Sequence, residues 1–383
     1  MNYNFDKPLE RHNTNSIKWD RYDQAVLPFW VADMDFAVAP AITEALSQRI
    51  AHPVFGYNRT DARLIEAICA WLLRRFDWKV EPESILLVPG VVTGINWAAR
   101  TFAAASGSML IQTPVYPPFF QAAKNSASRL VEAPLLHDAG RYEIDFDAFE
   151  EKVSQGVSLF LLCNPHNPVG RVFTRSELMR LGEICLRHKV YICSDEIHCD
   201  LVFSGHPHVP FAALNDDLAA CTVTLMAPSK TFNIPGLHFS FAVVPDAVIR
   251  RRLTSAGAGI IGHPNLLAEA AAIAAYNECE DWLAQLLSYL QANRDYLAVR
   301  LKETIPEIRY QKPEGTYLAW LDCRALQLET DPYTFFLEKA AVALSDGRAF
   351  GNEGDGFVRL NFGCPRALLS EAVERMASAV TRK

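Results

Sequence analysis

The sequence predicts an α/β fold, with a large domain on a mostly parallel sheet covered by helices and a smaller α+β domain after it. Three observations carry that reading. Short apolar runs recur at 85–88, 109–111, 128–133, 157–163, 190–194, 221–226 and 239–244, and helical segments separate many of them. That succession of runs and helical segments suggests a mostly parallel sheet covered on both faces. Two of them lead directly into a chemically useful polar residue: 190–194 into Asp195, and 221–226 into Ala227-Pro228-Ser229-Lys230. Ligands of open α/β sheets bind at the carboxyl ends of the strands, and the second run leaves Lys230 in a loop there.

Residues 1–35 are polar and irregular, with Arg11, His12 and Trp19-Asp20, and read as an arm strapped across another domain. Its end is Leu27-Pro28-Phe29-Trp30-Val31-Ala32-Asp33-Met34-Asp35, before Phe36. Pro40 opens a helix to about Arg49, because proline's fixed φ and missing N–H suit a first turn. Leu64, Ile68 and Leu72, at helical spacing, place a second helix over 61–76. Ile85-Leu86-Leu87-Val88 is a strand ended by Pro89-Gly90, and a helix starts at Val91. The strand Met109-Leu110-Ile111 runs into the proline-rich turn 113–118, which stiffens Tyr116. A helical stretch over 265–304 breaks at Glu278-Cys279-Glu280-Asp281. Strands at 317–321 and 357–362 and a closing helix from Arg366 complete the chain. The expected division is an arm at 1–35 joining the small domain, a large domain at 36–275 and a small C-terminal domain at 276–383.

With 383 residues, half of them hydrophobic, the chain can bury roughly three quarters of its unfolded surface and needs no staples. A formal net charge of −7 argues against nucleic acid and anionic membrane as partners. No helix-turn-helix extension stands at either end. Nine cysteines are scattered without a Cys-x-x-Cys pair, and no secretory signal opens the chain. They read as reduced thiols of a cytoplasmic protein. No apolar run approaches the ~18 residues of a membrane span, so the sequon at Asn58-Arg59-Thr60 is expected to be irrelevant.

The chemistry gathers at Lys230. An amine beside apolar groups loses its proton more readily and becomes a nucleophile toward a carbonyl. Asp195, at the end of its own strand, is placed to keep a heterocyclic nitrogen protonated, which is what pyridoxal phosphate needs beside its lysine. The amides that start the helix after Gly90 suit a phosphate. Arg359, beside Asn361 in a strand, suits bidentate capture of a carboxylate.

Asn-Pro-x-Asn-Pro-x-Gly at 164–170, Ser-Asp-Glu-Ile-His at 194–198 and Pro-Ser-Lys-Thr-Phe-Asn at 228–233 occur in that order. Together they resemble the fold-type I pyridoxal-phosphate (PLP) enzymes. The pattern is similar to the cystathionine β-lyase, or C–S lyase, branch of the class I/II aminotransferase family over nearly the whole chain. The resemblance implies PLP held by Lys230, with Asp195 on its ring nitrogen, Tyr116 stacked on the ring and Asn167 on its phenolic oxygen. It implies phosphate contacts from the Val91 and Val92 amides and Ser229, and a substrate carboxylate on Arg359. It also sends Tyr57 to the phosphate of a neighbouring subunit, giving a homodimer with shared sites.

Two departures bear on the branch. Ala227 and His238 stand where most aminotransferases place a phosphate-binding serine and arginine, and His198 stands where they place a tyrosine. The lyase branch commonly shows Asp-Glu-Ile-His and commonly lacks that arginine, so the departures favour the lyase branch. The expected activity is cleavage of cystathionine or a related β-thioether amino acid to thiol, pyruvate and ammonia. An aminotransferase, and a regulatory protein retaining the fold, are the alternatives. No metal is expected, since His206-Pro207-His208 lacks a third ligand and reads as solvent-facing. Gly257-Ala258-Gly259-Ile260-Ile261-Gly262 spells a dinucleotide fingerprint but follows Arg250-Arg251-Arg252 instead of a strand, and reads as a mobile loop near the site. Asp33 and Asp35 receive no acid–base role.

Overall fold

The structure, a computed structural model, describes residues 2–104, 107–138 and 140–383. Its centre is a seven-stranded sheet in the order Ile85–Val88, Ser240–Val243, Thr222–Met226, Tyr191–Asp195, Leu159–Cys163, Ser108–Ile111, Arg129–Glu132. Ser240–Val243 runs antiparallel to both its neighbours, and every other pairing is parallel. The strands Leu159–Cys163 and Thr222–Met226 are buried at every residue; the first is a continuous apolar run, as expected of a strand covered on both faces, while the second buries Thr222 and Thr224 as well. Register places Cys163 opposite Asp195 and Asp195 opposite Leu225. The segments after these three strands, which hold Asn167, His198 and Lys230, therefore leave the sheet along one edge.

Helix Val91–Phe102 lies hard against that sheet. A Cβ on Gly94 would come within 2.7 Å of the Leu225 side chain, so the glycine sets the helix close to the strand that leads to Lys230. Gly90, at φ +101°, supplies the turn between strand and helix; an L side chain is strained there. Helix Ala62–Phe76 begins with the Asp61 side chain accepting the Arg63 N–H and ends with Asp77 in the left-handed region. The 265–304 stretch is two helices, Leu266–Glu278 and Glu280–Thr304, separated by Cys279.

A second, antiparallel sheet orders Arg309–Tyr310, Leu318–Asp322, Phe357–Asn361 and Ser345–Asp346. The N-terminal residues reach across to these later elements. Leu27–Pro28 pairs in parallel with Val342–Ala343, and the Phe5 ring packs on Phe36, Trp282 and Tyr289.

Two local expectations are corrected. Lys230 sits in a one-turn helix, Pro228–Thr231, and not in a loop; Pro228 occupies the first turn, the helical position it tolerates best. His208 does not face solvent. Its side chain is fully buried, 2.7 Å from Glu196 Oε2, and Glu196 also accepts the Ser194 hydroxyl and the Phe211 N–H. The glycine-rich segment at 257–262 closes the helix Ala247–Gly257, with Ile261 packed on the apolar layer that includes Val91 and Trp97. Among the described residues no helix is long and apolar enough to cross a membrane, and all nine cysteines are free.

Candidate active site

A cavity of about 410 Å³ opens at the carboxyl edge of the sheet, lined by Val91, Val92, Tyr116, Asn167, Asp195, His198, Ser229, Lys230 and His238, among others. The folded chain thus gathers eight of the sequence-derived site residues on one wall or another of a single space. Arg359 stands immediately behind Asn167, donating through Nη1 to Asn167 Oδ1 at 2.9 Å. Tyr57 is not brought here. It is fully exposed, on the irregular segment between helices Pro40–Ala51 and Ala62–Phe76.

The cavity's ionisable groups are kept apart from one another. Lys230 Nζ donates to the backbone oxygen of Ala32 at 2.6 Å. Burial pushes its amine down to about 8, although Asp33 and Asp195 pull the other way. Asp195 is buried by the strands on either side, and its carboxylate accepts the Ile197 N–H at 3.1 Å. Burial pushes it up to about 7, against the effect of that N–H and of Lys230. His198 is driven down to about 3 by burial, then by Lys230 and Arg359, so its imidazole is neutral at pH 7. Its buried Nδ1 has no hydrogen-bond partner among the described residues.

Arg359 is the most telling group. Its guanidinium donates to Asn167 Oδ1, to Trp30 O at 2.9 Å and to Ser345 Oγ at 3.2 Å, and lies 4.9 Å over the Phe350 ring. All three acceptors are neutral, and the buried Nε is unsatisfied. A desolvated cation held this way lacks only an anion. Burial lowers it to about 10, which leaves it charged at neutral pH.

A second cavity, of about 450 Å³, is lined by Arg171, Lys312 and Arg324, among others. Several of its charges are paired: Arg171 with Glu177 and Glu314 at 2.8 and 3.0 Å, Arg324 with Asp322 at 2.8 Å, Lys312 with Asp295 at 3.2 Å.

Comparison with known proteins shows the family. Residues 25–376 match the family described as Aminotransferase class I and II. The chain belongs to that family. It is 42% identical to cystathionine beta-lyase PatB of Bacillus subtilis, over 99% of this chain and all of that protein. Its structure is similar to that of cystalysin from Treponema denticola, which contains a pyridoxal 5'-phosphate cofactor, with a TM-score of 0.96, 34% identity and full coverage of both chains. It is also similar to OvoB, with a TM-score of 0.95, 45% identity and full coverage of both chains. Within the family, the chain falls in the C–S lyase branch.

For this aminotransferase-family chain, sequence reading passed over the groups that arrive from far along the chain. Ala32 O takes both the Lys230 amine and, at 2.9 Å, the Tyr317 hydroxyl. Trp30 O and Ser345 Oγ brace Arg359. A backbone oxygen has no sequence signature. The only available sign was the pair of acids, Asp33 and Asp35, in the otherwise apolar stretch 27–36.

Proposed function

We propose that the protein is a PLP-dependent C–S β-lyase that takes cystathionine or a related β-thioether amino acid and releases a thiol, pyruvate and ammonia, consuming one water. The observation that carries an amino-acid substrate is Arg359, a buried guanidinium with neutral acceptors and an unsatisfied Nε, next to the lysine cavity. The lyase relatives favour elimination over transamination.

The cavity suits the cofactor on its own chemistry. The helix N-terminus at Val91 and Val92 has no side-chain cap and offers amides to a phosphate, beside Ser229. Asp195 would hold the ring nitrogen and Tyr116 the ring face, and Asn167, with its oxygen engaged by Arg359, would have its amide N–H groups left for the phenolic oxygen. The neutral His198 has no charge to compete with the ring. Bound there, PLP supplies the electron sink for the pair left when the α-proton departs.

The chain's own groups do the rest. Arg359 fixes the substrate carboxylate. Lys230 Nζ, lowered to about 8, carries a usable free-amine fraction at neutral pH and takes the α-proton as general base. Asp195, paired with a cationic N–H, stays ionised. Thiolate departs from Cβ with the C–S electrons. The work divides by sheet: residues 36–275 hold the cofactor, while 276–383, joined by the arm 1–35, contribute Arg359.

A homodimer with shared sites belongs to the same proposal. Tyr57 is fully exposed with Ile50, Val54 and Phe55 exposed nearby, an apolar surface suited to a partner, and the expected interface exceeds about 2,000 Å² in total. Mixing Tyr57→Phe with Lys230→Ala chains should create one hybrid site with normal phosphate affinity. Equal weakness in hybrid and Tyr57→Phe homodimer means Tyr57 does not act across an interface. Nine free thiols support a reducing compartment, and we propose the cytoplasm.

The deciding assay incubates the PLP-loaded protein with cystathionine and, separately, with alanine plus 2-oxoglutarate. Pyruvate and thiol in equal amounts from the first support the lyase. Glutamate from the second, without thiol from the first, replaces it with an aminotransferase.

A further inference from the structure

Lys230 is met from outside the sheet by an irregular strap, residues 31–36, and the way this strap is held is more elaborate than covering the cavity requires. Asn361 Nδ2 donates to Val31 O and Asp33 O, both at 2.6 Å. Asn233, three residues past the lysine, accepts the Met34 N–H and donates to Met34 O and Phe36 O, all at 2.9 Å. The Asp35 N–H bonds Gly363 O at 2.8 Å. The strap is thus tied both to the lysine's own turn and to the strand that carries Arg359.

Its two acids are clamped from the N-terminal arm. Arg11 reaches Asp33 Oδ2 at 2.8 Å and Asp35 Oδ1 at 2.5 Å. Lys18, almost completely buried, reaches Asp35 Oδ2 at 2.7 Å and stands 3.7 Å from Asp33 Oδ1. Asp35 is saturated, with the Trp19 N–H as a third donor at 2.8 Å. Asp33 is not: its buried Oδ1 accepts no hydrogen bond among the described residues. Asp33 directly follows Ala32, whose carbonyl holds the lysine amine.

We infer that the strap is a positioning device for the reactive lysine, in which Ala32 O receives the amine whenever it is free and Asp33 sets how firmly that amine keeps its proton. This rests on the lysine-centred reading of the cavity and extends it to a residue that touches neither substrate nor cofactor. The charges facing Lys230 from other elements are Asp195 and Arg359, with the neutral His198 and with Tyr116, Tyr317 and His238 completing the surroundings. Of these influences, Asp33 is the strongest that favours the protonated amine. Arg11 partly cancels Asp33, so the two residues act on the lysine with opposite sign.

The test measures the rate at which cofactor-free protein captures added PLP, as a function of pH. Capture joins Lys230 Nζ to the aldehyde carbon and releases water, and only the free amine reacts. Asp33→Asn should lower the midpoint of the profile by roughly one unit, making capture at pH 7 about fivefold faster. Arg11→Gln should raise the midpoint by a smaller amount, and Asp33→Glu should restore the parent value in part. Thermal unfolding shows that each variant is folded. Midpoints that stay put, or that move in the same direction in Asp33→Asn and Arg11→Gln, overturn the inference and leave the strap a purely structural tie. Absence of capture by the parent protein would instead strike the proposed function.

Discussion

Two buried lysines lie on either side of the strap and lead opposite lives. Lys18 has two carboxylates within 4 Å, the nearer at 2.7 Å, inside a cluster of two acids and two bases. Lys230 has a single neutral carbonyl at 2.6 Å, and the acids that influence it make no hydrogen bond to it. The first arrangement neutralises charge locally and holds two parts of the chain together. The second leaves a desolvated amine whose proton is easily lost. The residue type is the same, and its neighbours decide between a strut and a base.

The largest expected effect separates the two at once. Lys230→Met should cut turnover by about 10⁴-fold or more and abolish the borohydride-reducible link to PLP. Yet the cofactor-free fold should be no less stable than the parent. A lysine lowered to about 8 penalises folding fully below pH 8, and the penalty fades as pH rises toward its unfolded value of ~10.4. Any gain in melting temperature from Lys230→Met should therefore shrink between pH 8 and 10. A large loss of stability would mean that Lys230 is a strut after all.

Lys18→Met should do the reverse. It leaves Asp35 buried with one cation fewer, and breaking such a pair costs ~3–5 kcal/mol, measurable by denaturant unfolding of the cofactor-free protein. Cofactor capture should persist in whatever fraction remains folded. Unchanged stability would refute the strut.

Arg359→Lys keeps the charge but loses the planar fork. It should reduce kcat/KM for a β-thioether amino acid by roughly 10- to 100-fold, corresponding to ~1.5–3 kcal/mol of charged hydrogen bonding. Normal kcat/KM would remove Arg359 from the substrate site.

The last contrast concerns Asp195. Its buried carboxyl, raised to about 7, penalises the cofactor-free fold above pH 7 and not below its unfolded value near ~3.9. Asp195→Asn should therefore stabilise cofactor-free protein by up to roughly 4 kcal/mol at pH 8 and have little effect at pH 4. The same exchange should cripple turnover in the loaded protein. A pH-independent stability change would show that Asp195 is not held against its ionisation.

The sequence by itself determined the sheet and most of the cavity. Apolar runs marked where strands lie, because strands buried on both faces are mostly apolar, and Pro40 and Gly90 marked helix starts, the first because proline suits a first helical turn and the second because glycine takes the positive φ of the turn before Val91. Asp195 and Lys230 were legible because each follows its strand, so one-dimensional position already implied the edge of the sheet. Tertiary structure decided what those residues experience. The Ala32 carbonyl lies 198 positions from Lys230 and Trp30 O lies 329 from Arg359, and no local pattern encodes contacts at such separation. The one-turn helix around Lys230, the burial of His208 against Glu196, and the different fates of Lys18 and Lys230 follow from which distant carbonyls and carboxylates the folded chain brings alongside. Proton affinity depends on those neighbours and on lost solvent, not on residue type alone.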